Sequence, residues 1–168
     1  MKNIYLTISI ILLIVDRSIK YFASSINFGG GFVKMGIYKN YSGAFSLPIA
    51  GWLYNIAGII LLIIFIYLFL LSLRAERSNL ARDGIATPLS ASRNNRISYL
   101  FIIFGGASNL FDRIYFGYVI DYIQVSQRSF FNIADAMIIE GILILVIFNK
   151  KFMSFQNPKS QAPSSDIN

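Results

Sequence analysis

Residues 52–73 read WLYNIAGIILLIIFIYLFLLSL, 22 positions without a charge. As a helix such a stretch is about 33 Å long, enough to cross the roughly 30 Å hydrocarbon core of a bilayer. A soluble domain of this size has no interior able to hide it. The chain is 168 residues long, 55% hydrophobic and 15% aromatic, with a mean hydropathy of +0.59, and ordinary soluble composition is more polar. The stretch therefore decides the class: a protein embedded in a membrane.

Three further apolar segments accompany it. Ile4–Val15 is nearly unbroken and extends as helix through Asp16 and Arg17 to about Ile26. Ile97–Phe111 contains Gly105, Gly106 and Ala107, small residues that let helices approach closely. Phe130–Phe148 carries Asp135 and Glu140. The expected architecture is an all-α membrane protein with four transmembrane helices, spanning about 4–26, 52–73, 97–113 and 130–149. Loop charges orient it. The 74–96 connection holds Arg74, Arg77, Arg82, Arg93 and Arg96, and Lys2, Lys150, Lys151 and Lys159 fall on the same side. The other side has Lys34, Lys39 and Arg128, with Arg113 at a helix end, so the excess predicts cytoplasmic termini. A membrane domain is expected over 1–153, with 74–96 a polar cytoplasmic loop and 154–168 a disordered tail. Ala23-Ser24-Ser25 follows an apolar run as a signal-peptide cleavage site would, but Asp16, Arg17 and Lys20 interrupt that run and argue against cleavage.

Two segments face the other side. The first outer loop, 27–51, begins NFGGGFVKMGIYKNYSGAFSLP, and its glycines and short alternating runs predict a small strand-rich element. The segment 114–129 is too polar to span. Its Tyr115, Phe116, Tyr118 and Tyr122 fit a stretch lying along the membrane interface.

Composition restricts the chemistry. There are no cysteines and no histidines, which excludes thiolate nucleophiles, disulfides, histidine bases and serine–histidine triads. The net charge of +7 is spread along the loops, not gathered in a patch for nucleic acid. What remains is a handful of ionisable groups in or near the spans, where each is costly and needs a partner or a task. Asp16 and Lys20 are spaced i, i+4, as suits an orienting ion pair or a catalytic one. Asn109, Asp112 and Arg113 can share a face, either as an exit from the membrane or as a clamp beside a site. Asn132 and Asp135 have the spacing of an N-cap with an acid at N3, and equally of a site at a helix start. Glu140 lies about 140° round the helix from Asp135, outside any such site.

Asp121 and Asp135 are fourteen positions apart on the same side of the membrane. If they converge, they cannot both ionise cheaply, so one keeps a proton. The ionised partner then takes a proton from water while the other hydrogen-bonds a carbonyl oxygen, which is peptide hydrolysis without a covalent intermediate. The rival hydrolytic arrangement pairs Ser42 or Ser46 with Lys39, a lysine that looks too exposed to be neutral. A small transporter or channel subunit using its aspartates for proton or cation movement is the alternative from another class. A non-catalytic membrane assembly protein is a third.

The blocks DRSIK, NYSGAFS, GGASNLFDRIYFGYVIDYI and FFNIADA, in that order over about 4–149, resemble lipoprotein signal peptidase, also called signal peptidase II. The resemblance implies a bacterial inner-membrane aspartic endopeptidase with its active site toward the periplasmic face. Such an enzyme removes signal peptides from prolipoproteins by cutting before the diacylglyceryl-cysteine, without metal or other cofactor. It implies that Asp121 and Asp135 are catalytic, that Asn40, Asn109, Arg113 and Asn132 line the substrate site, and that Asp16, Lys20 and Asp112 support the structure. Prolipoproteins and membrane lipids are the implied partners. Three departures stand out. Ser42-Gly43 occupies positions where the family has its glycine one residue earlier, Glu140 replaces a small or apolar residue, and NLARDGIATPLSASRNN within 75–96 reads like an insertion.

Overall fold

The computed structural model describes residues 4–25, 28–30, 32–41, 51–81, 89–125 and 129–155. Four helices and one sheet are formed: α1 (Ile4–Phe22) with a 3-10 turn at Ala23–Ser25, strands β1 (Phe28–Gly30) and β2 (Val33–Asn40), α2 (Gly51–Ala81), α3 (Leu89–Phe116), β3 (Val119–Val125), β4 (Ser129–Phe131) and α4 (Ile133–Phe155). The protein is thus mostly helical with a small antiparallel sheet. Among the described residues one helical stretch, Trp52–Arg74, is by itself long and apolar enough to cross a membrane, with a hydropathy of 3.0. The apolar run of the first helix is broken by Asp16, Arg17 and Lys20.

Burial is reversed from that of a water-soluble protein. Long rows of Ile, Leu and Val on α1, α2 and α4 are exposed, while Ser9, Asp16, Lys20, Ser98, Ser108, Asn109, Asp112, Asp121 and Asn132 are buried. A hydrocarbon solvent explains both halves. Aliphatic side chains lose nothing by facing lipid, and polar groups must find partners inside. The third helix is the hub, packing on α4, α2 and α1. Gly105 and Gly141 allow the close approach of α3 and α4: a Cβ on Gly105 would lie 2.5 Å from the Ala134 carbonyl oxygen, and one on Gly141 would lie 2.7 Å from that of Ser98.

The sheet has the order β1-β2-β3-β4, antiparallel throughout. In the β2–β3 ladder Asn40 pairs with Val119, Tyr38 with Asp121 and Met35 with Ile123. Gly36 and Ile37 therefore stand opposite Tyr122 alone, a bulge beside Asp121 of the kind that re-aims a strand. The third helix stops at Gly117, whose φ of 80° lets its N–H turn back to the Arg113 carbonyl at 3.1 Å. That left-handed cap suits glycine, and it sends the chain directly into β3.

Several boundaries differ from the expected ones. The helices run on through 74–81 and 89–96, so most of the expected 74–96 loop is helical, because a helix need not stop where the apolar run does and AERSNLA holds the good helix formers Ala, Glu, Arg and Leu. The first helix ends at Phe22, short of Ile26. Residues 130–131 belong to β4, and α4 begins only at Ile133. The sheet is not confined to the first outer loop: 119–125 and 129–131 supply half its strands. Residues 154–155 close α4, whereas the rest of the expected disordered tail lies outside the described residues, as do Ser42, Gly43 and Ser46.

Candidate active site

The polar interior is assembled from five elements, α1, β2, α3, β3 and α4, and Asn132 is its centre. The residue sits between β4 and α4, fully buried. Its carbonyl accepts the first turn's N–H from Ala136 at 3.3 Å. Its Oδ1 accepts the Asp135 N–H at 2.9 Å, and its own N–H donates to Asp135 Oδ2 at 3.2 Å. This reciprocal capping box satisfies two orphan donors and places an acid at the positive end of α4. The spacing Asn132-x-x-Asp135 announced it.

The same side chain reaches the other aspartate. Asn132 Nδ2 donates to Asp121 Oδ1 at 2.8 Å, with further acceptors at Ile120 O (3.3 Å) and Asn109 Oδ1 (3.2 Å). Asn40, at the end of β2 and diagonal to Asp121 across the ladder, donates from Nδ2 to Asp121 Oδ2 at 2.9 Å. Asn109 on α3 donates from Nδ2 to Asp135 Oδ1 at 2.7 Å. Asp121 and Asp135 are thus gathered round Asn132, each accepting two N–H donors. Asp121 is buried, and that burial pushes its pKa up to about 6. The amide donors of Asn40 and Asn132 pull the other way, while the Asp135 charge adds to the rise. A carboxyl so placed keeps its proton to higher pH than a free carboxyl does.

Beneath the pair lies a cluster of buried charge. Lys20 and Asp16 are 3.0 Å apart across one turn of α1, and Lys20 also pairs with Asp112 at 2.8 Å, all three side chains fully buried. Lys20 donates to Asn109 Oδ1 at 2.9 Å, and Arg17 binds the other oxygen of Asp112. Asp16 accepts from Ser108 Oγ (2.6 Å), the Tyr122 hydroxyl (2.9 Å) and the Ala134 N–H (3.2 Å). Such groups are tolerable in a low-dielectric interior only when this completely paired. Tyr122 also accepts the Ile133 N–H at 2.9 Å, and burial, with Asp16 beside it, raises its phenol above the usual range.

Arg113 does not join Asp112. Adjacent helix positions point about 100° apart, and the guanidinium turns instead to a cavity of about 240 Å³ walled by Asn40, Tyr41, Trp52, Tyr54, Asn55 and Tyr118. There it lies 5.8 Å from the Tyr54 ring centroid, within electrostatic reach of Asp121 and Asp135. Glu140 is exposed on the outer face of α4 among Ile139, Leu143, Val146 and Ile147. Lys39 is occupied by the Tyr118 ring, 5.2 Å from its centroid. Sequence reasoning missed Arg17, Ser108 and Tyr122 as members of the cluster. Their adjacency to Asp16, Asn109 and Asp121 was the available signal.

Similarity to known proteins bears on this arrangement. Residues 8–150 match the family described as Signal peptidase (SPase) II. A lipoprotein signal peptidase of Caldicellulosiruptor bescii is 32% identical over 130 residues, 77% of this chain and 75% of its own. One of Acinetobacter baumannii is 29% identical over 174 residues, 94% of this chain and 88% of its own. In fold, the chain resembles a bacterial membrane enzyme solved by the in meso method at 2.3 Å, with a TM-score of 0.70, 20% identity and 91% of each chain covered.

Proposed function

The chain belongs to the signal peptidase II family, and from that premise we propose that Asp121 and Asp135 cleave lipid-modified prolipoproteins by activating water. The enzyme is an aspartic-type peptidase of a bacterial membrane, and prolipoproteins are its substrates. The observation that carries the site assignment is the bridging by Asn132, which binds Asp121 through its side-chain amide and Asp135 through its cap.

The reaction is written from these groups. Asp121 carries the shared proton and hydrogen-bonds the scissile carbonyl oxygen. Asp135, ionised at the helix N-terminus, takes a proton from water as its oxygen attacks the carbonyl carbon, and Asp121 passes its proton to the developing alkoxide. The resulting gem-diol collapses: a hydroxyl proton returns to Asp121, the C–N bond breaks, and Asp135 delivers its proton to the leaving amine of the modified cysteine. The acid, the amine and the original protonation state result, with no covalent intermediate. Asn40, Asn109 and Asn132 hold the carboxylates in register. Arg113, on the wall of the neighbouring cavity, suits substrate carbonyl or lipid ester oxygens.

We read the four helices as four spans with both termini cytoplasmic and the sheet on the periplasmic face of the inner membrane. The arginines of 74–96 and the exposed aliphatic rows support this reading. The membrane domain is then 1–153. A precursor anchored by two acyl chains and a signal helix would present its cleavage site at the level of β3 and the start of α4. The test is cleavage by the purified protein of a diacylglyceryl-cysteine precursor peptide and its unlipidated twin. A single cut before the modified cysteine is expected, with the twin cut at least about tenfold more slowly, since acyl binding energy is withheld from it. Equal rates on the two peptides would remove the lipid from the account.

A further inference from the structure

Lys20 performs no step in the mechanism above, yet it is the buried cation nearest to the amides that hold both carboxylates. An asparagine side chain has two ends of opposite character, and rotation by half a turn exchanges them. An ammonium has only donors, so Lys20 Nζ, 2.9 Å from Asn109, requires that Oδ1 face it. With the oxygen committed, the Asn109 Nδ2 faces Asp135 at 2.7 Å. The same oxygen also takes an N–H from Asn132 at 3.2 Å, whose amide is set independently by the Asp135 N–H on its Oδ1. The cation thereby orients the amide that faces Asp135.

We propose that Lys20 is a positioning residue for the hydrolysis: by holding Asn109 so that an N–H faces Asp135, it keeps Asp135 ionised and able to take a proton from water. The inference rests on the dyad reading given above. Without the cation, Asn109 is free to turn its oxygen to Asp135, and an oxygen there is compatible only with a protonated carboxyl. Asp135 would then hold a proton and could not take one from water. The other charged and titratable groups around this amide are accounted for. Asp16 on α1 faces Lys20 directly and is neutralised by it, with Ser108 and Tyr122 as donors. Asp112 on α3 lies between Lys20 and Arg17. Arg113 lies on the cavity wall, within electrostatic reach of both carboxylates.

The experiment measures kcat and KM on a lipid-modified precursor between pH 5 and 9 for the unaltered protein, Lys20→Met and Lys20→Arg. Lys20→Met should move the acidic limb of kcat upward by roughly one pH unit. Its deficit is then about tenfold on that limb, disappears on the alkaline side of neutrality, and leaves KM within about twofold. Lys20→Arg, which keeps the charge, should restore the limb. On an Asn109→Ala background the displacement should fall below half its size, because the intermediary is gone and only the direct pull of the Lys20 charge across space remains. If Lys20→Met does not fold, Asp16→Asn with Lys20→Met removes the ion pair as a unit, leaves Asp112 its Arg17 partner, and should move the limb in the same direction by less. A uniform loss at every pH, or superimposable profiles, overturns the proposal and leaves Lys20 a scaffold residue. Asp121→Asn and Asp135→Asn run in parallel separate the two readings: if either turns over normally, it is the dyad assignment that fails.

Discussion

Substituting Gly105 by alanine tests whether the packing of α3 against α4 sets the position of Asp135. The added Cβ would meet the Ala134 carbonyl oxygen at 2.5 Å, Ile138 Cγ1 at 3.0 Å and the Met137 Cβ at 3.2 Å. Ordinary contact begins near 3.4 Å, so the first turn of α4 must retreat by about 0.9 Å. Ala134 directly precedes Asp135. A retreat along the Asn109–Asp135 hydrogen bond would lengthen it from 2.7 Å to about 3.6 Å, beyond bonding reach. Overpacking of this sort costs about 1–3 kcal/mol of stability, and a misplacement of about 1 Å costs on the order of a hundredfold in rate. Gly105→Ala should therefore fold with a lowered Tm and lose roughly a hundredfold in kcat on a lipid-modified precursor. Two controls give the prediction its edge. Gly106→Ala meets only Leu62 Cδ1 at 3.8 Å and should be close to neutral. Gly141→Ala meets the Ser98 oxygen and Ile102 Cγ1, each at 2.7 Å, in the same helix interface but about 9 Å further along the helix from Asp135. It should lose stability like Gly105→Ala while keeping most of its activity. Full kcat in a folded Gly105→Ala, or an equal loss in Gly141→Ala, would refute the reasoning.

Two further outcomes follow from the same geometry. Asp121 has its pKa raised from 3.8 to about 6 in the fold, so the folded state keeps this proton to higher pH than the unfolded chain does. Its contribution to stability is complete below about pH 4 and is lost as pH rises through 6, a change of about 3 kcal/mol. Thermal unfolding in detergent at pH 4.5 and 7.5 should show about 2 kcal/mol of this decline, and Asp121→Asn should lessen it. Asn132→Ala removes the α4 cap and the bridge between the carboxylates. It should cost about 1 kcal/mol of stability and reduce kcat by on the order of a hundredfold, a ratio that a simple cap would not produce.

What was legible in the sequence was local. The charge-free run 52–73, the i, i+4 pair Asp16–Lys20 and the box at Asn132 and Asp135 each declare themselves within a turn or two, and each stands in the structure as read. The strand β3 was not legible, because VIDYIQV is buried on both faces at its start and so lacks the alternation that marks a strand. Its partner, β2, lies some eighty residues upstream. Arg113 was grouped with Asp112 by spacing alone, but neighbours on a helix face different surroundings. The polarity of 74–96 hides the full lengths of α2 and α3 in the sequence, because a helix leaving a bilayer can continue in water. Lys20 was recognised as a partner of Asp16. Its grip on Asn109 and Asp112, about ninety residues away, required the fold.

The central claim is that Asp121 and Asp135 together activate water. Single-turnover cleavage of a diacylglyceryl-cysteine precursor by the purified protein, by Asp121→Asn and by Asp135→Asn addresses it directly. The account predicts a fall of about a thousandfold or more in the chemical step for each variant, with precursor binding retained. Cleavage by either variant at a rate near that of the unaltered protein would contradict it.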